Sequence, residues 1–146
     1  MVRLLPLLIL LCVPWGAAAD PALNRIEISI ESLRNDSGQV LCALHDSKAA
    51  FPRDSSKAVQ KAQATVLDRR AVCVFNDVRP GTYAVGIVHD ENSNGKLDTN
   101  FVGLPREGLG SSRDAKGFMG PPKFDDASFV YSGSVLKLTV HAIYLL

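Results

Sequence analysis

Hydrophobic and polar side chains alternate through Arg25-Ile26-Glu27-Ile28-Ser29-Ile30-Glu31. A period of two places the isoleucines on one face of a strand and Glu27, Ser29 and Glu31 on the other. Asn35-Asp36-Ser37-Gly38 has the composition of a turn. Val40 to Leu44 is apolar on both faces, which predicts a strand inside a sheet. Ala71 to Phe75 reads as a third strand, and the Pro80-Gly81 turn leads into a fourth and longest one, Thr82 to His89. Ala127 to Tyr131 and Val135 to Tyr144 complete the set; the last puts Leu136, Leu138, Val140, Ala142 and Tyr144 on one face. Two stretches depart from this pattern. Pro52 and Asp54-Ser55-Ser56, followed by alanines and long polar side chains, predict a short surface helix or an irregular excursion near 54–64. Residues 105–126 carry four glycines and three prolines and predict a long irregular segment, of the kind that is functional or mobile. Short strands, frequent turns and little helix define an all-β class, a single antiparallel β-sandwich.

The N-terminus changes the compartment. A basic start at Arg3, an apolar run from Leu4 to Val13 and Ala17-Ala18-Ala19 read as a secretory signal peptide over residues 1–19. Residues 20–146 are then the folded domain. The run is shorter than the roughly 20 residues that a spanning helix needs, and no later segment is apolar enough to cross a membrane. The rival reading, a lipid anchor on Cys12, lacks a small residue before the cysteine, where Leu11 stands. Loss of Arg3 takes the sixteen basic side chains to fifteen, equal to the acidic ones. That balance carries no footprint for nucleic acid or for an anionic membrane. Cys42 and Cys73 remain. Two cysteines in an exported chain pair as a disulfide, the alternative being two buried free thiols.

The candidate chemistry is concentrated in Asp90-Glu91-Asn92-Ser93-Asn94-Gly95-Lys96-Leu97-Asp98. Oxygen-bearing side chains at Asp90, Asn92, Asn94 and Asp98, a sharp turn at Gly95 and the carbonyl of Lys96 follow the first nine positions of a calcium loop. Calcium takes about six to eight oxygens, and alternating Asp and Asn side chains can converge as the chain curls. The twelfth position is Phe101 rather than a bidentate Glu. A further carboxylate would have to come from Glu91, Glu107, Asp125 or Asp126, and so few charges imply affinity on the order of 10⁻⁴–10⁻³ M. A metal-free turn explains the same residues, because Asn94-Gly95 is a hairpin signal and Asp and Asn bond to their own backbone. His45 and His89 would suit zinc or copper if neighbouring strands brought them together, with Asp46 or Asp90 to orient them. Nothing resembles a nucleophile elbow, both cysteines suit a structural role, and Phe75 and Tyr83 suit a core.

Pro80-Gly81-Thr82-Tyr83-Ala84-Val85, the string from His89 to Phe101, Gly103 to Gly108 and Gly120 to Ala127 resemble the bacterial domain of unknown function 2141 family. The resemblance runs from about Ile26 to Tyr144. It implies a small exported protein with a signal peptide, and the Pro80 to Val85 turn and strand also look like those of transthyretin (prealbumin)-like and carboxypeptidase regulatory-like sandwiches, which serve mostly as binding or accessory modules. Members tend to continue after Glu-Gly with an aromatic and Gly-Phe-Ser-Asn, where this chain has Leu109-Gly110-Ser111-Ser112-Arg113. That departure puts any ligand choice made by an aromatic loop in doubt. The expected function is a non-enzymatic exported binding or accessory module, working through the 90–98 loop with the 105–126 segment on a protein or carbohydrate ligand. The alternative is a metal-free structural or interaction module. An exported hydrolase using Asp90, Asp98, Glu107 or Asp126 is the least favoured.

Overall fold

The computed structural model describes residues 24–146. The expected signal peptide at 1–19 and Cys12 lie outside the described residues. Eight strands follow in order: β1 Arg25–Glu31, β2 Gln39–His45, β3 Gln60–Thr65, β4 Ala71–Asn76, β5 Gly81–Asp90, β6 Gly108–Ser111, β7 Phe129–Tyr131 and β8 Val135–His141. They form two sheets. One has the order β4-β1-β8; the other has the order β3-β2-β5-β6, with β7 also on β5. The fold is an all-β sandwich, as the alternation requires. No helix among the described residues is long and apolar enough to cross a membrane.

The inward side chains are those that the period of two selects. Ile26, Ile28 and Ile30 of β1 pack with Val40, Cys42 and Leu44 of β2, Cys73 and Phe75 of β4, and Val85 and Ile87 of β5. Burying a side chain of this size stabilises by about 1.5–3 kcal/mol. Tyr83 joins this core, and its hydroxyl donates to the Arg79 carbonyl at 2.8 Å. Cys42 and Cys73 form a disulfide between β2 of one sheet and β4 of the other, with 6.5 Å between their Cα atoms.

Three features depart from the sequence expectation. The sandwich is not wholly antiparallel: β1 and β8 run parallel, matching Ile26 with Leu136, Ile28 with Leu138 and Ile30 with Val140. A parallel pair needs a long crossover, and here nearly the whole chain lies between the two strands. The helix expected near 54–64 reduces to one 3-10 turn, Ser55–Lys57, capped by the Asp54 carboxylate. Residues 60–65 instead form β3, which pairs with β2 over six residues. Ala62 and Ala64 pack inward while Lys61, Gln63 and Thr65 face solvent. Alanine is the best helix former, so the period of two is faint in the sequence, and pairing with β2 decides the conformation.

The third departure is the 105–126 segment, which is less irregular than its composition predicts. It holds β6, a 3-10 turn at Ser112–Asp114 and the start of a one-turn helix, α1, Phe124–Ala127. Gly110 on β6 lies so close to the core that a Cβ there would stand 2.8 Å from Val140 and 2.9 Å from Ile87. Ser112 is buried; its hydroxyl accepts from the Val85 amide at 2.9 Å and donates to the Ala127 carbonyl at 2.7 Å. Ala127, Phe124 and Ala115 pack with Phe51 and Ala84 in a second apolar cluster. Ala84 neighbours the inward-facing Tyr83 and Val85 along β5, so this cluster covers the outer face of the larger sheet. The segment braces that face.

Removing the cross-sheet bridge tests its contribution. A loop of this length should stabilise by about 3–4 kcal/mol in the chain-entropy picture. The Cys42→Ala/Cys73→Ala protein should therefore unfold at clearly lower urea than the oxidised parent. An unchanged midpoint would show that the bridge adds nothing to the packed core.

Candidate functional site

Residues 91–107 form one excursion between β5 and β6, and two buried carboxylates hold its base. Asp90 ends β5 opposite Gln39, which opens β2. The Asp90 carboxylate accepts from the Gln39 amide at 2.9 Å, the Gly95 N–H at 2.8 Å and the Asn94 N–H at 3.0 Å. Burial works to raise its pKa, but the bonds from Gln39, Gly95, Asn94 and Ser93 outweigh burial and hold it below the usual range. Glu107, also buried, reaches back from the far end of the loop. One of its oxygens accepts the Glu91 N–H at 3.0 Å and the other the Asp98 N–H at 2.9 Å. Gly38 permits this close packing: its φ is +68°, and a Cβ there would lie 2.0 Å from the Asp90 carbonyl oxygen.

The asparagines complete the loop. Asn92 Oδ1 accepts the Asn94 N–H, and Asn94 Oδ1 accepts the Lys96 N–H, both at 3.1 Å. Their amide nitrogens donate to Asp98 at 2.6 Å from Asn92 and at 2.9 and 3.0 Å from Asn94. These bonds hold the Asp98 carboxyl below its usual range. Hydrogen bonds therefore link Asp90, Asn92, Asn94 and Asp98, and Lys96 enters through its N–H; the asparagine oxygens face loop amides and the NH₂ groups face Asp98. The amides serve Asp98 as a cation would. Of the other carboxylates, Glu107 reaches the loop as a backbone acceptor. Asp125 and Asp126 lie on α1, beside β7, which pairs with Gly81 to Tyr83 at the opposite end of β5 from Asp90.

The tip is held by Asn100. Its side-chain oxygen accepts the N–H groups of Val102 at 3.1 Å and Leu104 at 2.9 Å, and its own N–H meets the Leu104 carbonyl at 2.9 Å. This pinned turn leaves Phe101 99 %, Val102 62 % and Leu104 45 % exposed.

His89 is fully buried on the inner side of the same end. Its Nε2 lies 2.8 Å from the Ser37 carbonyl and its Nδ1 2.7 Å from the Tyr144 hydroxyl. A carbonyl only accepts, so Nε2 carries a proton and donates to Ser37. Tyr144 in turn accepts the Arg34 N–H at 3.0 Å and lies under the Arg34 guanidinium at 4.5 Å. Arg34 forks onto Glu91 at 2.6 and 2.8 Å, and this pair, against the effect of burial, lowers the Glu91 pKa. Sequence reasoning missed Gln39, Arg34 and Tyr144, since long-range partners leave no local signal.

The histidine pairing fails on register. β2 and β5 are neighbours, yet Val40 faces His89 and His45 faces Ala84, so the two rings sit at opposite ends. Their side chains also point to opposite faces. Neither is a surface residue. His45 lies 1 % exposed against Phe51, with ring centroids 5.6 Å apart, and neither ring nitrogen has a hydrogen-bond partner among the described residues.

A β-sandwich presenting one carboxylate-pinned loop defines the structural class. The chain belongs to the bacterial domain of unknown function 2141 family, described as an uncharacterized protein conserved in bacteria, whose model matches residues 28–139. No curated protein and no solved structure matches it.

Two outcomes follow from this geometry. Glu107→Ala leaves the half-buried N–H groups of Glu91 and Asp98 without this acceptor and should cost about 1 kcal/mol or more. Hydrogen exchange at the Glu91 and Asp98 amides should accelerate more than at strand amides, and equal protection in the variant would contradict the pinning. The second concerns His45, whose pKa burial lowers against the opposing pull of Asp46 and Asp54. Its neutral form is favoured in the fold, so its contribution is complete above the unfolded value of about 6.5 and is lost as pH falls below it. His45→Leu should flatten the stability profile on the acid side of that value, and an unchanged slope there would refute the assignment.

Proposed function

We propose that this protein is an exported, non-enzymatic binding or accessory module that recognises its ligand, a protein or a carbohydrate, with the 91–107 loop. The observation that carries the reading is the contrast between the loop's base and its tip. The base is tied by Asp90 and Glu107 and the turn at the tip by Asn100, all through backbone bonds, whereas the Phe101, Val102 and Leu104 side chains stand in solvent. Apolar side chains held on a rigid turn lose little entropy on binding, which favours recognition. The non-enzymatic reading is supported by the direction of the displaced carboxylates. Glu27, Asp54, Asp90, Glu91, Asp98 and Asp114 all lie below their usual range, as ion pairs and hydrogen-bond acceptors do. A general acid would need the opposite displacement. Export is supported by the leader pattern and by the Cys42–Cys73 bridge, which suits an oxidising compartment.

A second reading is a weak calcium loop, favoured by the convergence of Asn92 and Asn94 on Asp98 beside Asp90. Thermal unfolding in EDTA and in millimolar calcium separates the two. A self-organised loop gives equal midpoints. A bound ion at a hundred times its dissociation constant adds about 2.7 kcal/mol, a shift of several degrees that Asp90→Ala removes.

The module itself is tested by recovering the native protein from the producing bacterium. The expected product starts at Asp20, is oxidised at both cysteines and lies outside the cytoplasm. A photo-cross-linking residue at position 101 should capture one partner that the same residue at Leu67, on the β3–β4 turn, does not, unless the ligand is a glycan, which an array would show. An unprocessed cytoplasmic chain would sink the export reading. An exported chain silent in both assays would sink the tip as binding surface.

A further inference from the structure

His141 is half exposed at the end of β8, unlike the buried His45 and His89. Its ring stands between two carboxylates from different elements. Asp114 accepts the His141 backbone N–H with Oδ1 at 2.8 Å and meets ring Nδ1 with Oδ2 at 2.7 Å. Glu31, directly beside His141 in the parallel β1–β8 register, places Oε2 3.9 Å from Nε2. The chain is strained to achieve this: Arg113 and Asp114 both have left-handed backbone, with φ of +60° and +49°. Such conformations cost of order 1–3 kcal/mol each and cluster at functional sites. A cavity of about 260 Å³ lies against the ring, lined by Ser111, Asp114, Lys116 and His141 among others.

We propose that His141 Nε2 and Glu31 form a surface site for a borderline divalent metal, zinc or copper, with Asp114 as the positioning residue. A carboxylate holding Nδ1–H fixes the tautomer whose Nε2 lone pair is free, the arrangement found behind most metal-bound histidines. Two ligands at zinc distances of about 2.0–2.2 Å stand a little over 3 Å apart at a tetrahedral angle. Closing 3.9 Å to that separation requires only rotation of Glu31, whose side chain is 37 % exposed. Waters complete the shell. Arg70 lies 3.9 Å from the other Glu31 oxygen with 69 % of its side chain exposed, and it swings away as the metal replaces its charge. The site is built from β1, β8 and the 3-10 turn at Ser112–Asp114, uses no residue of the 91–107 loop, and does not depend on the loop's role.

Titration of the oxidised protein with zinc, followed by calorimetry and by NMR of the histidine rings, tests this. The expected result is binding of one ion that shifts the His141 ring alone and that excess calcium does not displace. His141→Gln should abolish binding, and Glu31→Gln should weaken it about 10-fold or more. Asp114→Asn presents an N–H to Nδ1, moves the ring proton to Nε2, and should weaken binding by about 10–100-fold with unfolding midpoint unchanged. No binding at millimolar zinc overturns the proposal. So does binding that survives His141→Gln, or that is indifferent to both Glu31→Gln and Asp114→Asn.

Discussion

Strand β5 has both edges occupied, and the rest of the molecule is arranged around that constraint. One edge takes β2 over seven residues; the other takes β6 near its end and β7 near its start. A strand paired on both edges and covered on both faces has to satisfy every polar group it carries. Tyr83, Val85 and Ile87 go to the core, while Ala84 and Gly86 receive the brace formed by Phe51, Pro52 and the 112–127 segment. At its end, two polar residues in a row, His89 and Asp90, are both buried. Each requires partners from elsewhere, and those partners shape the loop end of the sandwich.

The two networks that result are complementary. His89, on the inner side, ties the β1–β2 turn at Ser37 to the chain terminus at Tyr144, and Arg34 carries the connection on to Glu91. Asp90 ties the opening of β2 to the first turn of the loop. Glu107 then joins the two ends of the loop through backbone donors alone. Each of these two buried carboxylates accepts from the surrounding frame at both of its oxygens. The buried polar residues of this end are bonded into the frame, while Phe101, Val102 and Leu104 stand exposed at the tip.

Isolated backbone bridges add to the strand pairing at two margins of the sandwich. Leu67 and Arg70 exchange backbone bonds of 2.9 and 3.0 Å across the β3–β4 turn, and Leu109 and Ile143 exchange bonds of 2.9 and 2.8 Å where β6 approaches the end of β8. The His141 face lies at the end of β8 on the smaller sheet, just before Tyr144, which joins the network at the loop end.

Local chemistry was sufficient for what depends on neighbours in sequence. The alternation in 25–31 and 82–89 and the double-sided apolar run at 40–44 set strand type, inward face and central position, because side-chain period is a local property of an extended chain. The same holds for the pairing of Cys42 with Cys73 and for the loop strung from Asp90 to Asp98. Tertiary structure decided whatever rests on distant partners. β3 is a strand because β2 offers it a ladder, against the helix preference of its alanines. Register along β2 and β5 separated His45 from His89, which no dipeptide pattern can show. Glu107 was visible as a carboxylate, yet its role as a clamp for Glu91 and Asp98 exists only once β6 returns beside β5. Arg34, Tyr144 and the His141 pair of carboxylates came from segments far apart in the chain, where burial and hydrogen-bond satisfaction, rather than spacing, select the partner.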